Sequence, residues 1–335
     1  MAFAYQMTAP GADHVQRNDI EARAPGVDEV QLRMSATSLN FHDLVAISGF
    51  MPHMAYPRVP MSDGVGEIVA LGAGVTGLSI GDRVIPNFCP DWLDGRPAPQ
   101  KKKRVLGETT DGCLQEFLTI EANCVVAAPS HMSDLEAATL PCAGHTAWYA
   151  MMEEAGLQAG QTVLVQGTGG VALLGLQIAK AAGARVVITS SSEEKLDRAR
   201  ALGADIGINY TEHPDWEQQV LSLAGPVDIV LDLGGQKTLG KSVSCTRDDG
   251  TIAVIGVLSG FDAALVSVID IMQKNLTLKG ITVGCAASHR RMNQFLEQHR
   301  IQPVVSDVFE AGELADAIDL MAAGGHFGKI ALTIA

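Results

Sequence analysis

The apolar stretch Thr162-Val-Leu-Val-Gln166 runs directly into Gly167-Thr168-Gly169-Gly170-Val171-Ala172 and then into a helical pattern. Few local patterns restrict a fold as tightly. Gly167 permits a tight turn, Gly169 lets the backbone approach a diphosphate, and Ala172 allows the helix to pack close to its strand. The anion then meets free amides at the positive end of the helix. A glycine-rich turn without a ligand is the alternative, and the full strand–turn–helix context speaks against it. Apolar strands and helices go on alternating to about residue 256, which predicts a parallel sheet buried on both faces.

The end of the second strand selects the nucleotide. A site for NAD carries Asp or Glu there, on the ribose hydroxyls. Here the end reads Thr189-Ser190-Ser191-Ser192, with Lys195 one turn into the next helix. Hydroxyls and a cation suit a 2′-phosphate that a carboxylate would repel. Glu193 and Glu194 lie near enough to be argued as ribose acceptors, and are read in preference as partners of the helix dipole. NADP(H) is therefore the expected cofactor. Gly256, Val257 and Leu258 end the strand Thr-Ile-Ala-Val-Ile and are expected beside the nicotinamide, at the carboxyl edge of the sheet.

The first 125 residues read differently. Segments 29–34, 65–71, 82–86 and 116–120 are short, β-branched and separated by Gly- and Pro-bearing turns, as in a β-barrel. Residues 87–112 lack periodicity, and a loop of that length is often functional. Ser133-Asp-Leu-Glu136 is a capping box opening a helical pattern to about Glu154, with a break expected at Pro141. The chain of 335 residues is long enough for two domains.

Composition removes other classes. A formal charge of −14 disfavours nucleic acid and anionic lipid. The basic run Lys101–Arg104 reads as a solvated loop. No stretch approaches the ~20 apolar residues of a membrane span, and no signal peptide is apparent. Six scattered cysteines without a CxxC suggest reduced thiols in a cytoplasmic protein.

Taken together, Leu39-Asn-Phe-His-Asp43, Asp63-Gly-Val-Gly-Glu67, Gly81-Asp-Arg-Val84, Leu140-Pro-Cys-Ala-Gly-His-Thr-Ala-Trp148, the glycine loop, Ile208-Asn-Tyr210, Lys274–Gly280 and Phe327-Gly-Lys329 resemble the medium-chain dehydrogenase/reductase superfamily. The likeness covers nearly the whole chain, and the zinc-free quinone oxidoreductase and alcohol-dehydrogenase-like branch looks nearest. It implies an α/β fold: a Rossmann doubly wound parallel sheet inserted in a GroES-like β-barrel catalytic domain, with the active cleft between them. The expected division is 1–127 catalytic, 128–268 nucleotide-binding, and 269–335 an edge strand plus the remainder of the catalytic domain. It also implies that Lys195 and Tyr210 hold the 2′-phosphate and that Thr146 contacts the nicotinamide or phosphate region. A homodimer would form through the edge strand 276–283, an exposed apolar edge that needs covering. Lys329, on the last strand, is expected to reach the cofactor.

Zinc-dependent relatives use Cys, His and a later Cys where this chain has Asn40, Ser62 and Cys142. Amide and hydroxyl oxygens replace thiolate and imidazole poorly, so no metal is expected. The 87–113 segment likewise offers only Cys89 and Cys113, too few for a structural zinc lobe. Without a Lewis acid the acceptor must already be electron-poor, which favours a quinone or an α,β-unsaturated carbonyl as the small-molecule substrate. Asn40 is expected to donate to the developing oxyanion and His42 to serve as acid or base. Asp43 either orients His42 or Asn40, or caps local backbone. His145 either faces the cleft or packs. Phe41, Trp92 and Trp148 are either an apolar wall for the acceptor or core. A zinc-independent alcohol dehydrogenase or carbonyl reductase and a non-catalytic NADPH-binding protein remain the alternatives.

Overall fold

The computed structural model describes residues 1–51 and 54–334. The chain forms two compact units, one of residues 1–145 with 283 onward, the other Thr146–Thr282. The divisions fall at 145/146 and 282/283, against the expected 127/128 and 268/269.

In the first unit β1 (Ala2–Met7) and β2 (Val15–Ile20) make a separate antiparallel pair. The long strand β3 (Glu29–Leu39) leads into α1 (Phe41–Ile47), followed by β4 (Val65–Leu71), β5 (Arg83–Pro86), β6 (Phe117–Glu121) and β7 (Val125–Ala127). The capping box forms: Ser133 Oγ accepts from the Glu136 amide at the start of α2 (Asp134–Ala137). The break at Pro141 also forms. Pro cannot donate to the helical ladder, and residues 140–144 and 149–154 are π-helical on either side of α3 (His145–Trp148).

In the second unit strands and helices alternate: β8 (Thr162–Gln166), α4 (Gly170–Ala181), β9 (Arg185–Ser190), α5 (Glu193–Ala201), β10 (Ile206–Asn209), α6 (Trp216–Leu223), β11 (Val227–Asp232), α7 (Leu239–Cys245), β12 (Thr246–Val254), α8 (Val268–Gln273) and β13 (Thr277–Gly280). The sheet order is β10-β9-β8-β11-β12-β13, every pair parallel. Order therefore reverses between β8 and β11, the switch point beside which such sheets bind ligands. Leu164, Val187, Val230 and Ile252 fill the sheet's interior without solvent exposure. Continuous Val/Ile/Leu runs are what a sheet covered on both faces demands.

The chain then returns to the first unit with α9 (Ala286–His299), β14 (Val305–Glu310), α10 (Leu314–Ala322) and β15 (Lys329–Thr333). The seven-stranded sheet runs β14-β15-β3-β4-β5-β7, and β6 also pairs with β3. Because β15 lies antiparallel to β3, with Ile330 opposite Leu39, Lys329 arrives at the start of α1. Leu32, Ile68, Leu114, Ile330 and Leu332 form the core beneath. Residues 87–112 hold a short 3-10 turn at Pro99–Lys102. The basic run there is more than a solvated face: Arg104 pairs with Asp91 and Glu121 at 2.7 and 2.9 Å, and Lys101 Nζ donates to the carbonyls of Asp94 and Arg96. Among the described residues no helix is long and apolar enough to cross a membrane.

Candidate active site

The glycine loop has the form its sequence asks for. Gly167 has φ +78°, a left-handed backbone that side chains avoid, and a Cβ there would meet nothing within 4 Å. Gly169 is the N-cap of α4 and supplies no side-chain cap, so the first amides of the helix face outward from the end of β8. Gly170 and Val171 begin the helix, and Thr168 and Ala172 are buried. Across the switch point Gly256 follows β12 so tightly against the β11 end that a Cβ would lie 2.2 Å from the Leu233 carbonyl oxygen. Val257 and Leu258 beyond it are exposed.

At the end of β9 the Tyr210 amide donates to the Ser190 carbonyl at 3.0 Å, and the Tyr210 ring is exposed. Ser191 is exposed, and Ser192 Oγ caps α5 by accepting from the Lys195 amide at 3.3 Å. Glu193 pairs with Arg200 at 2.7 Å, away from a ribose role. The backbone thus brings Ser190, Ser191 and Tyr210 together at the end of β9, with Lys195 in the first turn of the helix that follows. Thr146 is buried and its hydroxyl donates to the Thr282 carbonyl at 3.0 Å, a contact that ties down its own unit.

In the first unit the polar residues named from sequence converge. Asp43 closes a capping box on α1: Oδ2 accepts from the Asn40 amide at 2.9 Å, while Oδ1 accepts from the Ser62 amide at 2.8 Å. That is the backbone-capping reading. Asp43 Oδ1 also lies 3.8 Å from His42 Nδ1, beyond hydrogen-bond length, so its contacts are those of a backbone cap beside the ring. His42 Nε2 pairs with Glu108 Oε2 at 2.9 Å, and Phe88 packs edge-on against the ring. Burial disfavours charge on the imidazole, but Asp43 and Glu108 outweigh it and push its pKa up to about 9. Burial also opposes ionisation of Asp43, and His42 and the Ser62 contacts overcome it, leaving Asp43 below its usual value.

Lys329 lies buried in the first unit. It is 3% exposed, and Nζ donates to the Leu39 carbonyl at 2.8 Å, to Asp63 Oδ2 at 3.2 Å and to Asn40 Oδ1. An ammonium has three protons, and all are committed here within the first unit. Since Nζ only donates, the Asn40 atom facing it is the oxygen, which turns Nδ2 the other way, 3.4 Å from Ser62 Oγ. Asp63 completes the cluster, accepting from Ser38 Oγ at 2.6 Å and the Cys142 amide at 2.9 Å. Burial pushes the Asp63 carboxyl up, against the pull of Lys329.

These positions do not fit zinc. Asn40 and Ser62 offer neutral oxygens in place of thiolate and imidazole, and a cation already sits on Asn40. Cys89 and Cys113 are thiols whose pKa burial raises, Cys89 to about 12. Among the described residues no three His, Cys, Asp or Glu side chains gather as a metal site.

Other residues take the packing reading. His145 is fully buried, 2.6 Å from Ser288 Oγ and stacked on His289. Trp92 is 1% exposed and its indole donates to the Gly95 carbonyl, so it belongs to the core of its loop. Trp148 is likewise buried, 7% exposed, and Phe41 half-buried. Glu108 was not foreseen: a single carboxylate in an aperiodic loop carries no pattern that distinguishes it.

Residues 26–130 match the alcohol dehydrogenase GroES-like domain and residues 170–298 the zinc-binding dehydrogenase family. A zinc-type alcohol dehydrogenase-like protein of Schizosaccharomyces pombe is 40% identical over 314 residues, 91% of each chain. An acryloyl-coenzyme A reductase of Metallosphaera sedula is 29% identical over 327 residues, 94% of this chain and 95% of that one. A solved structure described as an NAD-dependent alcohol dehydrogenase is 31% identical, with a TM-score of 0.91 over 99% of this chain and 100% of that one. Fold and relatives define a nicotinamide-dependent oxidoreductase. The chain belongs to the medium-chain dehydrogenase/reductase superfamily.

Proposed function

We propose that this protein is an NADP(H)-dependent reductase that adds hydride to a quinone or an α,β-unsaturated carbonyl without zinc. The observation that carries the reading is the Lys329 ammonium on Asn40, at the position where zinc relatives place a metal ligand. The bound nicotinamide supplies the hydride. Gly167–Val171 take the diphosphate; Ser190, Ser191, Lys195 and Tyr210 take the 2′-phosphate; Thr146 and Gly256–Leu258 border the nicotinamide. An acceptor whose charge spreads into an enolate needs no Lewis acid, only a directed donor and a proton. Asn40, its oxygen held by Lys329, presents Nδ2 as the donor. His42, with a pKa raised to about 9 by Asp43 and Glu108 against its burial, is charged at neutral pH and supplies the proton. Asp43 holds both by capping α1.

Absence of a carboxylate at the end of β9 and the Glu193–Arg200 pair favour NADP(H). A homodimer through the outer edge of β13 and a cytoplasmic setting, suited to buried free thiols, complete the reading. A zinc-independent NADP-dependent alcohol dehydrogenase or carbonyl reductase is the second reading, favoured by the 31% identity to an alcohol dehydrogenase.

Purified protein incubated with NADPH and but-3-en-2-one, with products identified by mass and retention time, decides between them. Butan-2-one means 1,4-addition and establishes the enone reading. The allylic alcohol transfers the assignment to the carbonyl reductase. Bound NADPH that no quinone, enone or aldehyde oxidises would identify a non-catalytic nucleotide-binding protein.

A further inference from the structure

We propose that Glu108, from the 87–112 loop, is the positioning residue that fixes the His42 tautomer, so that Nε2 keeps its proton and Nδ1 handles the reaction proton. The inference rests on the reading of His42 as the acid.

The two ring nitrogens have different surroundings. Nε2 lies 2.9 Å from Glu108 Oε2, a direct hydrogen bond. Nδ1 is buried, has no hydrogen-bond partner among the described residues, and faces Asp43 Oδ1 at 3.8 Å. Among the described residues Asp43 and Glu108 are the charged groups acting on the ring, and Phe88 covers it without charge. Asp43 already accepts the amides of Asn40 and Ser62, which leaves Glu108 as the carboxylate that directs the ring. A carboxylate hydrogen-bonded to one imidazole nitrogen keeps the proton there and assigns chemistry to the other.

Glu108 is itself held. The amides of Glu108, Thr109 and Thr110 all donate to the Val105 carbonyl, and Thr109 Oγ1 accepts from the Val105 amide at 2.8 Å. Gly107, at φ +76°, presses so close to Met61 that a Cβ would lie 2.8 Å from its backbone. These ties anchor the Glu108 backbone, and its neighbour Gly107 packs on Met61, the residue before Ser62 of the Asn40 cluster.

The proton balance is simple. Hydride from the bound nicotinamide leaves the acceptor as an anion, and this anion takes the Nδ1 proton of the imidazolium. Neutral His42 then retains Nε2–H on Glu108, and Nδ1 is reprotonated from water when product leaves.

Nitrogen-15 spectra of the labelled protein test this without a substrate, His42 being assigned by the signal lost in His42→Asn. Wild type above its titration should show the Nε2–H tautomer. In Glu108→Gln the midpoint should fall by about 1 unit or more and the tautomers mix. Turnover of but-3-en-2-one should drop ~10–100-fold, its alkaline limb moving to lower pH, with NADPH affinity unchanged. Glu108→Asp should restore part of both effects. An unchanged tautomer and midpoint in Glu108→Gln and Glu108→Ala overturns the proposal. Unchanged turnover in His42→Ala overturns instead the reading of His42 as the acid, whatever the spectra show.

Discussion

Lys329 Nζ sits 3.2 Å from Asp63 Oδ2, with the lysine side chain 3% and the aspartate 0% exposed. Two charges so enclosed are stable only together. Removing one leaves the other desolvated, at a cost of about 3–5 kcal/mol. Lys329→Met should therefore lower unfolding free energy in urea by about that amount and also release Asn40. Adding Asp63→Asn should recover part of the loss, because the two changes share one contact. A single variant as stable as wild type would remove the pair from the scaffold.

His42 should make both rate and stability depend on pH in one direction. Its folded pKa is about 9, above the ordinary value of 6.5, because Asp43 and Glu108 outweigh the cost of burial. The charged form thus stabilises the fold fully below about pH 6.5, and that contribution disappears as pH rises through about 9. The shift bounds it at on the order of 3 kcal/mol. Denaturation of wild type and His42→Asn across pH 6 to 10 should converge at the alkaline end. His42→Ala should cut kcat markedly while NADPH binding, measured by fluorescence titration, stays intact. Turnover equal to wild type would take His42 out of the reaction.

Lys195→Glu should weaken NADPH far more than NADH. The residue stands in the first turn of α5, just beyond Ser190 and Ser191 at the end of β9, and in the proposed NADP(H) site a carboxylate there would repel the 2′-phosphate. Comparing dissociation constants for the two nucleotides checks it. Equal losses would mean that Lys195 supports only the helix.

The legible parts of this molecule were those written in local pattern. A Val-Leu-Val strand, two glycines and a small residue announce the βαβ unit, and Ser133–Glu136 announces a capped helix in the first unit, because short-range geometry decides both. Asn40, His42 and Asp43 were legible as a group for the same reason: they open one helix. The partners of Lys329 were not legible because they lie far away along the chain, and only the antiparallel pairing of β15 with β3 brings it to Asn40. Glu108 and the ties made by Arg104 escaped similarly. A loop without periodicity gives no direction to its side chains until the tertiary fold closes around it.

β13 leaves one side of its ladder open, since it pairs with β12 alone among the described strands. In the same unit Leu258, Leu265, Val268 and Met272 are exposed by 59, 91, 72 and 64%, an apolar segment unusual for a free surface. An open edge and an apolar neighbour favour self-association, the two-fold pairing of like strands being the simplest closed solution. Thr277 and Gly280 are exposed on β13, and a side chain at Gly280 would meet nothing within 4 Å. Glutamates at both positions would oppose like charges across the two-fold axis while sparing the core. Sedimentation equilibrium should then find a dimer in wild type and a monomer in Thr277→Glu/Gly280→Glu, with the melting temperature of the monomer lowered. A wild-type chain that sediments as a monomer at micromolar concentration would sink the pairing.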